Sequence, residues 1–171
     1  MLKNNLENKI ISKTILGIDP GYDRVGMSIV NKEGIKESVI FSTCIETNKK
    51  ETHSQRIKQI ADDLEKIIKK YKIQTACIET LFIFKNQKTV MRVAEARGVI
   101  NYICEKNKVN ILELTPMQIK NSITGDGHAD KKQVKYMLEK ILKADFISNI
   151  LDDEVDAIAC GLAGLAFLKN I

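Results

Sequence analysis

The sequence predicts an α/β fold: a five-stranded mixed sheet, its first three strands antiparallel, flanked by helices. Three observations predict it. Apolar, β-branched stretches near residues 15–19, 25–31 and 35–45 follow one another with connections too short for a crossover helix. Two further apolar stretches, 73–79 and 109–114, each come after a segment of helical periodicity, so they can pair in parallel. Of the 171 residues, 44% are hydrophobic, enough for one domain with a sizeable core.

Taken in order, residues 1–12 are polar and Asn/Lys-rich and read as a loosely ordered extension, and residues 13–171 as a single domain. The first strand, Ile15-Leu16-Gly17-Ile18-Asp19, stops at Pro20, which lacks an amide hydrogen, and Gly21, which permits a sharp turn. Lys32-Glu33-Gly34 is a tight turn between the second and third strands. Thr52-x-x-Gln55 is a capping box. After it, Ile57, Ile60, Ala61, Leu64, Ile67, Ile68 and Tyr71 recur at helical spacing. The fourth strand ends at Glu79. A second helix spans residues 86–106, and Gly98 within it predicts close packing by a neighbouring element. After the fifth strand, Thr115-Pro116-Met117-Gln118 opens a short helix. A flexible loop, 125–129, leads to a helix capped by Asp130. Asp152 or Asp153 opens the last helix, whose Ala157, Gly161 and Gly164 suit tight packing on the sheet.

Composition excludes little. The net charge of +5 permits a polyanionic partner without demanding one. Cys44, Cys77, Cys104 and Cys160 contain no C-x-x-C pair and read as reduced, packed thiols with no zinc site. No apolar run is long enough to span a membrane, and the N-terminus lacks the apolar block of a secretory signal, so the expected location is cytoplasmic.

The chemistry-bearing pattern is acidic. Asp19 and Glu79 end strands at the same sheet edge, where open sheets with parallel strands commonly bind ligands. Asp153 and Asp156, three residues apart, share a face of the last helix's first turn. Each has an ordinary reading: Asp19 as a turn-shaping residue, the helix pair as complements to the helix dipole. Together the four would repel one another unless divalent cations filled the space. Mg²⁺ prefers such hard oxygen ligands. Two such ions about 3.5–4 Å apart activate a water and stabilise the leaving oxygen in phosphodiester cleavage.

Gly17-Ile18-Asp19-Pro20-Gly21, Ile78-Glu79 with Phe82 and Lys85-Asn86, Ala96-Arg97-Gly98, the Lys120 segment, Lys131, and Asp153-x-x-Asp156-Ala157 resemble, in order and spacing, the RuvC-type Holliday-junction resolvases. The resemblance runs from about residue 14 to about 168. It implies an RNase H-like fold and a homodimer that places one active site on each of two opposed strands of a four-way DNA junction. It implies that Asp19, Glu79, Asp153 and Asp156 are catalytic, metal-binding acids, here read as holding two Mg²⁺ ions per site; the sequence leaves open whether Mn²⁺ replaces Mg²⁺. Lys120 and Lys131 correspond to basic residues near the scissile phosphate, and Phe82 to an aromatic that stacks on a base. The resemblance further implies symmetric nicks with ligatable 5′-phosphate and 3′-hydroxyl ends, in homologous recombination and DNA repair, alongside the RuvA–RuvB branch-migration machinery. The family varies between Asp and His at the position of Asp153.

Lys85 and Arg97 are further DNA-contact candidates. Arg97 interrupts an apolar helix side, and either phosphate or an ion pair with Glu95 or Glu79 accounts for it. His128 is left outside the site. Rival functions are an RNase H-like nuclease of different substrate, of the RuvX type, a non-catalytic junction-binding protein, and an actin-like ATPase, for which the chain is too short.

Overall fold

The computed structural model describes residues 12–81, 87–144, 147 and 149–168. The strands are β1 (Ser12–Asp19), β2 (Arg24–Glu33), β3 (Lys36–Glu46), β4 (Thr75–Glu79) and β5 (Asn110–Leu114). The helices are α1 (His53–Tyr71), α2 (Gln87–Lys106), α3 (Pro116–Thr124), α4 (Lys131–Leu142) and α5 (Asp152–Phe167). They form one mixed sheet of order β3-β2-β1-β4-β5. β1, β2 and β3 are an antiparallel meander, and β4 pairs parallel with both β1 and β5. The first residue of β1 is Ser12, the last of the twelve residues expected to form an extension.

The sheet is a two-sided core. Along β1, Leu16 and Ile18 face one cluster with Ile60, Leu64 and Ile68 of α1 and Ala96, Ile100 and Ile103 of α2. Ile15 faces the opposite cluster, with α3, α4 and α5. Successive strand residues point to opposite faces, so Gly17 and Asp19 share Ile15's side. The same alternation on β4 puts Ile78 towards α1 and α2, and Cys77 and Glu79 towards α5.

α5 is the element that needs the small residues. A Cβ on Gly17 would lie 2.2 Å from the Ala157 carbonyl oxygen, and one on Gly26 would lie 1.9 Å from the Asp153 carbonyl oxygen. Ser28 Oγ donates to the Ala157 carbonyl at 2.9 Å, tying the helix to β2. α5 therefore lies against the backbones of β1 and β2, with Val155 and Ala157 to Leu165 buried. Gly98 behaves otherwise: a Cβ there would meet nothing within 4 Å, so the expected close packing is absent. It lies on an exposed face of α2.

Capping boxes start three helices, with Thr52 and Gln55 on α1, Thr115 and Gln118 on α3, and Asp130 and Gln133 on α4. α5 differs. Its N-cap is Leu151, with no side-chain cap, and its first turn carries Asp152, Asp153 and Glu154. The edge strand β3 carries an irregularity opposite Ile29 and Val30, which leaves Ile40 exposed. Bulges of this kind discourage edge-to-edge pairing.

Candidate active site

The strand register brings the first two acids together. Leu16, Gly17 and Ile18 pair with Ala76, Cys77 and Ile78, so Asp19 and Glu79 are the next residues on adjacent parallel strands. Both carboxylates lie on the face that α5 covers. The close approach of α5 to Gly17 and Gly26 brings its first turn over the same edge, and with it Asp153 and Asp156.

The electrostatics show how crowded this edge is. Burial, then the charges of Glu79, Asp156 and Asp153, push the Asp19 carboxyl up to about 8, against a smaller opposing effect of Lys131. Burial and Asp156 push Glu79 up to about 7, although a hydrogen bond with Asp19 and the charges of Lys120 and Lys131 work the other way. Asp156 is also raised, mainly by burial, and Lys131 opposes that rise. Groups with such shifts in a cleft are candidates for a functional site.

Three cations border the acids. Lys131 Nζ, on the first residue of α4, donates to Asp156 Oδ2 at 3.2 Å and lies 3.6 Å from Asp152 Oδ2. Burial works against its charge, but Asp156, Asp152 and Asp19 outweigh this and hold its pKa above the usual lysine value. Lys120 of α3 lines a cleft with Glu79, Lys131 and Asp156, walled by Ile119 and Val134. On the opposite flank Arg24 Nη1, at the start of β2, lies 3.6 Å from Asp153 Oδ2, and its Nε lies 3.5 Å from Glu46 Oε1.

The donor set fits divalent cations of the hard class. All four candidate ligands are carboxylates. Asp19 and Glu79 are raised first by burial and then by the neighbouring acids, by more than Lys131 and Lys120 offset. Among the described residues, no three His, Cys, Asp or Glu side chains close around one point as they stand. Asp156 is turned to Lys131 and Asp153 to Arg24.

The remaining expected residues divide. Phe82 and Lys85 lie outside the described residues. Arg97 does not pair with Glu95 or Glu79: its Nη2 donates to Glu113 of β5, while Glu95 Oε2 lies 3.0 Å from His53 Nε2. His128 lies beside Met117, Gln118 and Asn121, in a separate depression. Glu154 accepts from Ser42 Oγ at 2.7 Å. Arg24 was missed by sequence reasoning. The available signal was the antiparallel meander: Gly26 pairs with Asp19, so a residue two positions before Gly26 reaches the same edge.

Comparison with known proteins shows the family. The family model described as crossover junction endodeoxyribonuclease RuvC matches residues 15–163. A crossover junction endodeoxyribonuclease RuvC of Thermosipho melanesiensis is 42% identical over 145 residues, 85% of this chain and 92% of that protein. One of Fusobacterium nucleatum is 41% identical over 145 residues, 85% of this chain and 76% of that protein. The solved structure of Thermus thermophilus RuvC in complex with Holliday junction substrate superposes with a TM-score of 0.84, covering 92% of this chain and 96% of that one at 20% identity. At that identity the superposition speaks to the fold, which is RNase H-like.

Proposed function

Because this chain belongs to the RuvC family of crossover junction endodeoxyribonucleases, we propose that its acidic sheet edge cleaves four-way (Holliday) junction DNA in a divalent-metal-dependent hydrolysis. One observation carries the assignment of the site. Asp19, Glu79 and Asp156 come from three elements to one partly buried edge, and the first two are pushed up to about 8 and about 7. A protein that leaves acids so uncompensated is built to receive positive charge.

Asp19, Glu79 and Asp156, with Asp153, are the residues that would hold two Mg²⁺ ions. Bound there, the ions supply Lewis-acid stabilisation of the phosphate and lower the pKa of water. The protein's own groups do the rest. Lys131 and Lys120 hold the non-bridging phosphate oxygens and offset charge that develops as water adds to phosphorus and the bond to the 3′ oxygen breaks. Lys131 already donates to Asp156, so its ammonium sits beside the acids before DNA arrives. The cleft walls of Ile119 and Val134 limit solvent at that side.

The junction-resolving activity further calls for two such sites in a homodimer, one on each of two opposed strands, giving paired symmetric nicks with 5′-phosphate and 3′-hydroxyl ends. By the family resemblance Phe82 would stack on a base near the junction centre, and Lys85 would contact the DNA. Arg97 contributes less, because Glu113 engages its guanidinium. Action with RuvA–RuvB in recombination and repair, in the cytoplasm, completes the reading; no described helix is long and apolar enough to cross a membrane.

The test compares a labelled synthetic four-way junction with linear duplex of the same sequence, in Mg²⁺ and in chelator. The expected result is paired nicks in the junction alone, and only with the metal ion. Equal cutting of both substrates, or cutting in chelator, contradicts the proposal.

A further inference from the structure

Arg24 occupies a place in the site that the acids and lysines do not explain. It lies two positions before Gly26, the residue that pairs with Asp19, so it stands at the start of β2 beside the acidic edge. Lys120 and Lys131 approach the acids from α3 and α4, where they line a cleft with Glu79 and Asp156. Arg24 approaches from β2, where the Asp153 carbonyl packs on Gly26. The acids are thus bordered by cations on two flanks.

Arg24 is held loosely. Its contacts with Asp153 and Glu46, at 3.6 and 3.5 Å, are ion pairs too long to be hydrogen bonds of ordinary strength, and half of its side chain is exposed. Arg56, by contrast, is buried, donates through Nε to Thr47 Oγ1 at 2.9 Å and lies 4.0 Å over the Tyr22 ring. Arg56 is a fixed structural arginine, whereas Arg24 is free to change partners. A divalent cation held by the acids would compete with the guanidinium for Asp153. Once displaced, an arginine at that edge is suited to a planar, charge-assisted contact with phosphate.

We infer that Arg24 is a phosphate-contacting residue gated by metal loading: it neutralises Asp153 in the metal-free protein and turns to a junction backbone phosphate, on the flank opposite Lys120 and Lys131, when cations bind. The inference rests on the reading of the acidic edge as a metal-dependent nuclease site.

The experiment measures junction binding by wild type, Arg24→Gln and Arg24→Lys, each in chelator and in Ca²⁺, with the junction confirmed intact on a denaturing gel. In Ca²⁺, Arg24→Gln should bind about tenfold more weakly, the loss of one hydrogen bond to a charged group. The slope of log affinity against log salt should shrink by about 0.9, one phosphate contact. In chelator the two proteins should agree within about twofold, as expected for an exposed, screened charge. Arg24→Lys should keep the salt slope. An equal loss in both conditions, or none in either, overturns the inference. Asp19→Asn separates the two layers. If it cuts at the wild-type rate, the metal-site reading itself fails. If it is inactive while Arg24→Gln shows no metal-dependent difference, only the role of Arg24 fails.

Discussion

Asp19 and Asp23 are the same residue type, four positions apart on one connection, and they meet opposite surroundings. Asp23 is exposed and hydrogen-bonded by Arg56, with Lys49 3.7 Å away, and these cations hold its carboxyl below the usual range. Arg56 also binds Thr47, which donates to the Tyr22 carbonyl at 2.9 Å, so Asp23 helps fasten the turn after β1 to α1. Asp19 is half-buried beside Glu79 and Asp156 and is pushed up to about 8. One carboxylate is satisfied by the fold. The other is left for something the fold does not contain. On the proposed reading of the site, a functional acid is marked by missing compensation, which its residue type and position in the chain would not reveal alone.

The largest effect that could break the contrast is on cleavage. Asp19→Asn should lower the junction-cleavage rate on the order of 10³-fold, equivalent to several kcal/mol of lost metal-ion stabilisation. Asp23→Asn should stay within about twofold, as expected for an exposed ion pair. Single-turnover rates on a labelled junction check both. Comparable losses in the two variants would erase the distinction.

A smaller effect comes from the packing that brings the two halves of the acidic edge together. A Cβ on Gly17 would lie 2.2 Å from the Ala157 carbonyl and 2.5 Å from the Gly161 nitrogen, both backbone atoms. Gly17→Ala should cost about 1–3 kcal/mol in denaturant unfolding, as overpacking does. Displacing α5 also moves Asp153 and Asp156, and misplacement of about 1 Å should lower cleavage about 10²-fold. Loss of stability with unchanged cleavage would mean that α5 does not set the geometry of the acids.

How much of this was legible in the sequence follows from which interactions are local. The strand that stops at Asp19-Pro20-Gly21 and the acid that ends β4 were readable, because strand ends are written in Pro, Gly and apolar runs. The Asp153–Asp156 pair was readable from helical spacing. The caps at Thr52, Thr115 and Asp130 were readable as helix starts, and the structure adds Gln133 as the partner that completes the box at Asp130. Partners set by tertiary contact were not readable. Arg97 meets Glu113, sixteen residues away on β5, and Arg24 meets Asp153 across the whole chain. Gly98 misled because a helical glycine carries no mark that separates tight packing from open surface. Gly17 and Gly26, which do meet a helix closely, lie in strands and looked like ordinary small residues.

The last effect is the pH dependence of stability, and the two aspartates should have opposite signs. Asp19 and Glu79 have raised folded-state values, so they bind protons more tightly in the native protein than in the unfolded chain. Their contribution is fully present below about pH 4 and is lost as pH rises towards about 8. Asp23 is lowered, so its contribution is present above about pH 4 and lost as pH falls. In chelator, wild type should therefore become less stable between about pH 5 and 8, and Asp19→Asn should flatten that fall. Thermal melts across this range measure it. A rise in wild-type stability over the same window would contradict the assignment.

The central claim is that the acidic edge is uncompensated because it receives divalent cations. Calorimetric titration of Mg²⁺ into the DNA-free, chelator-treated protein near pH 7, repeated in buffers of different ionisation enthalpy, tests it directly. Cations that replace protons on Asp19 and Glu79 must release them. The account predicts saturable binding with proton release in wild type, both strongly reduced in Asp19→Asn and unchanged in Asp23→Asn. Binding of equal strength in wild type and Asp19→Asn would contradict it.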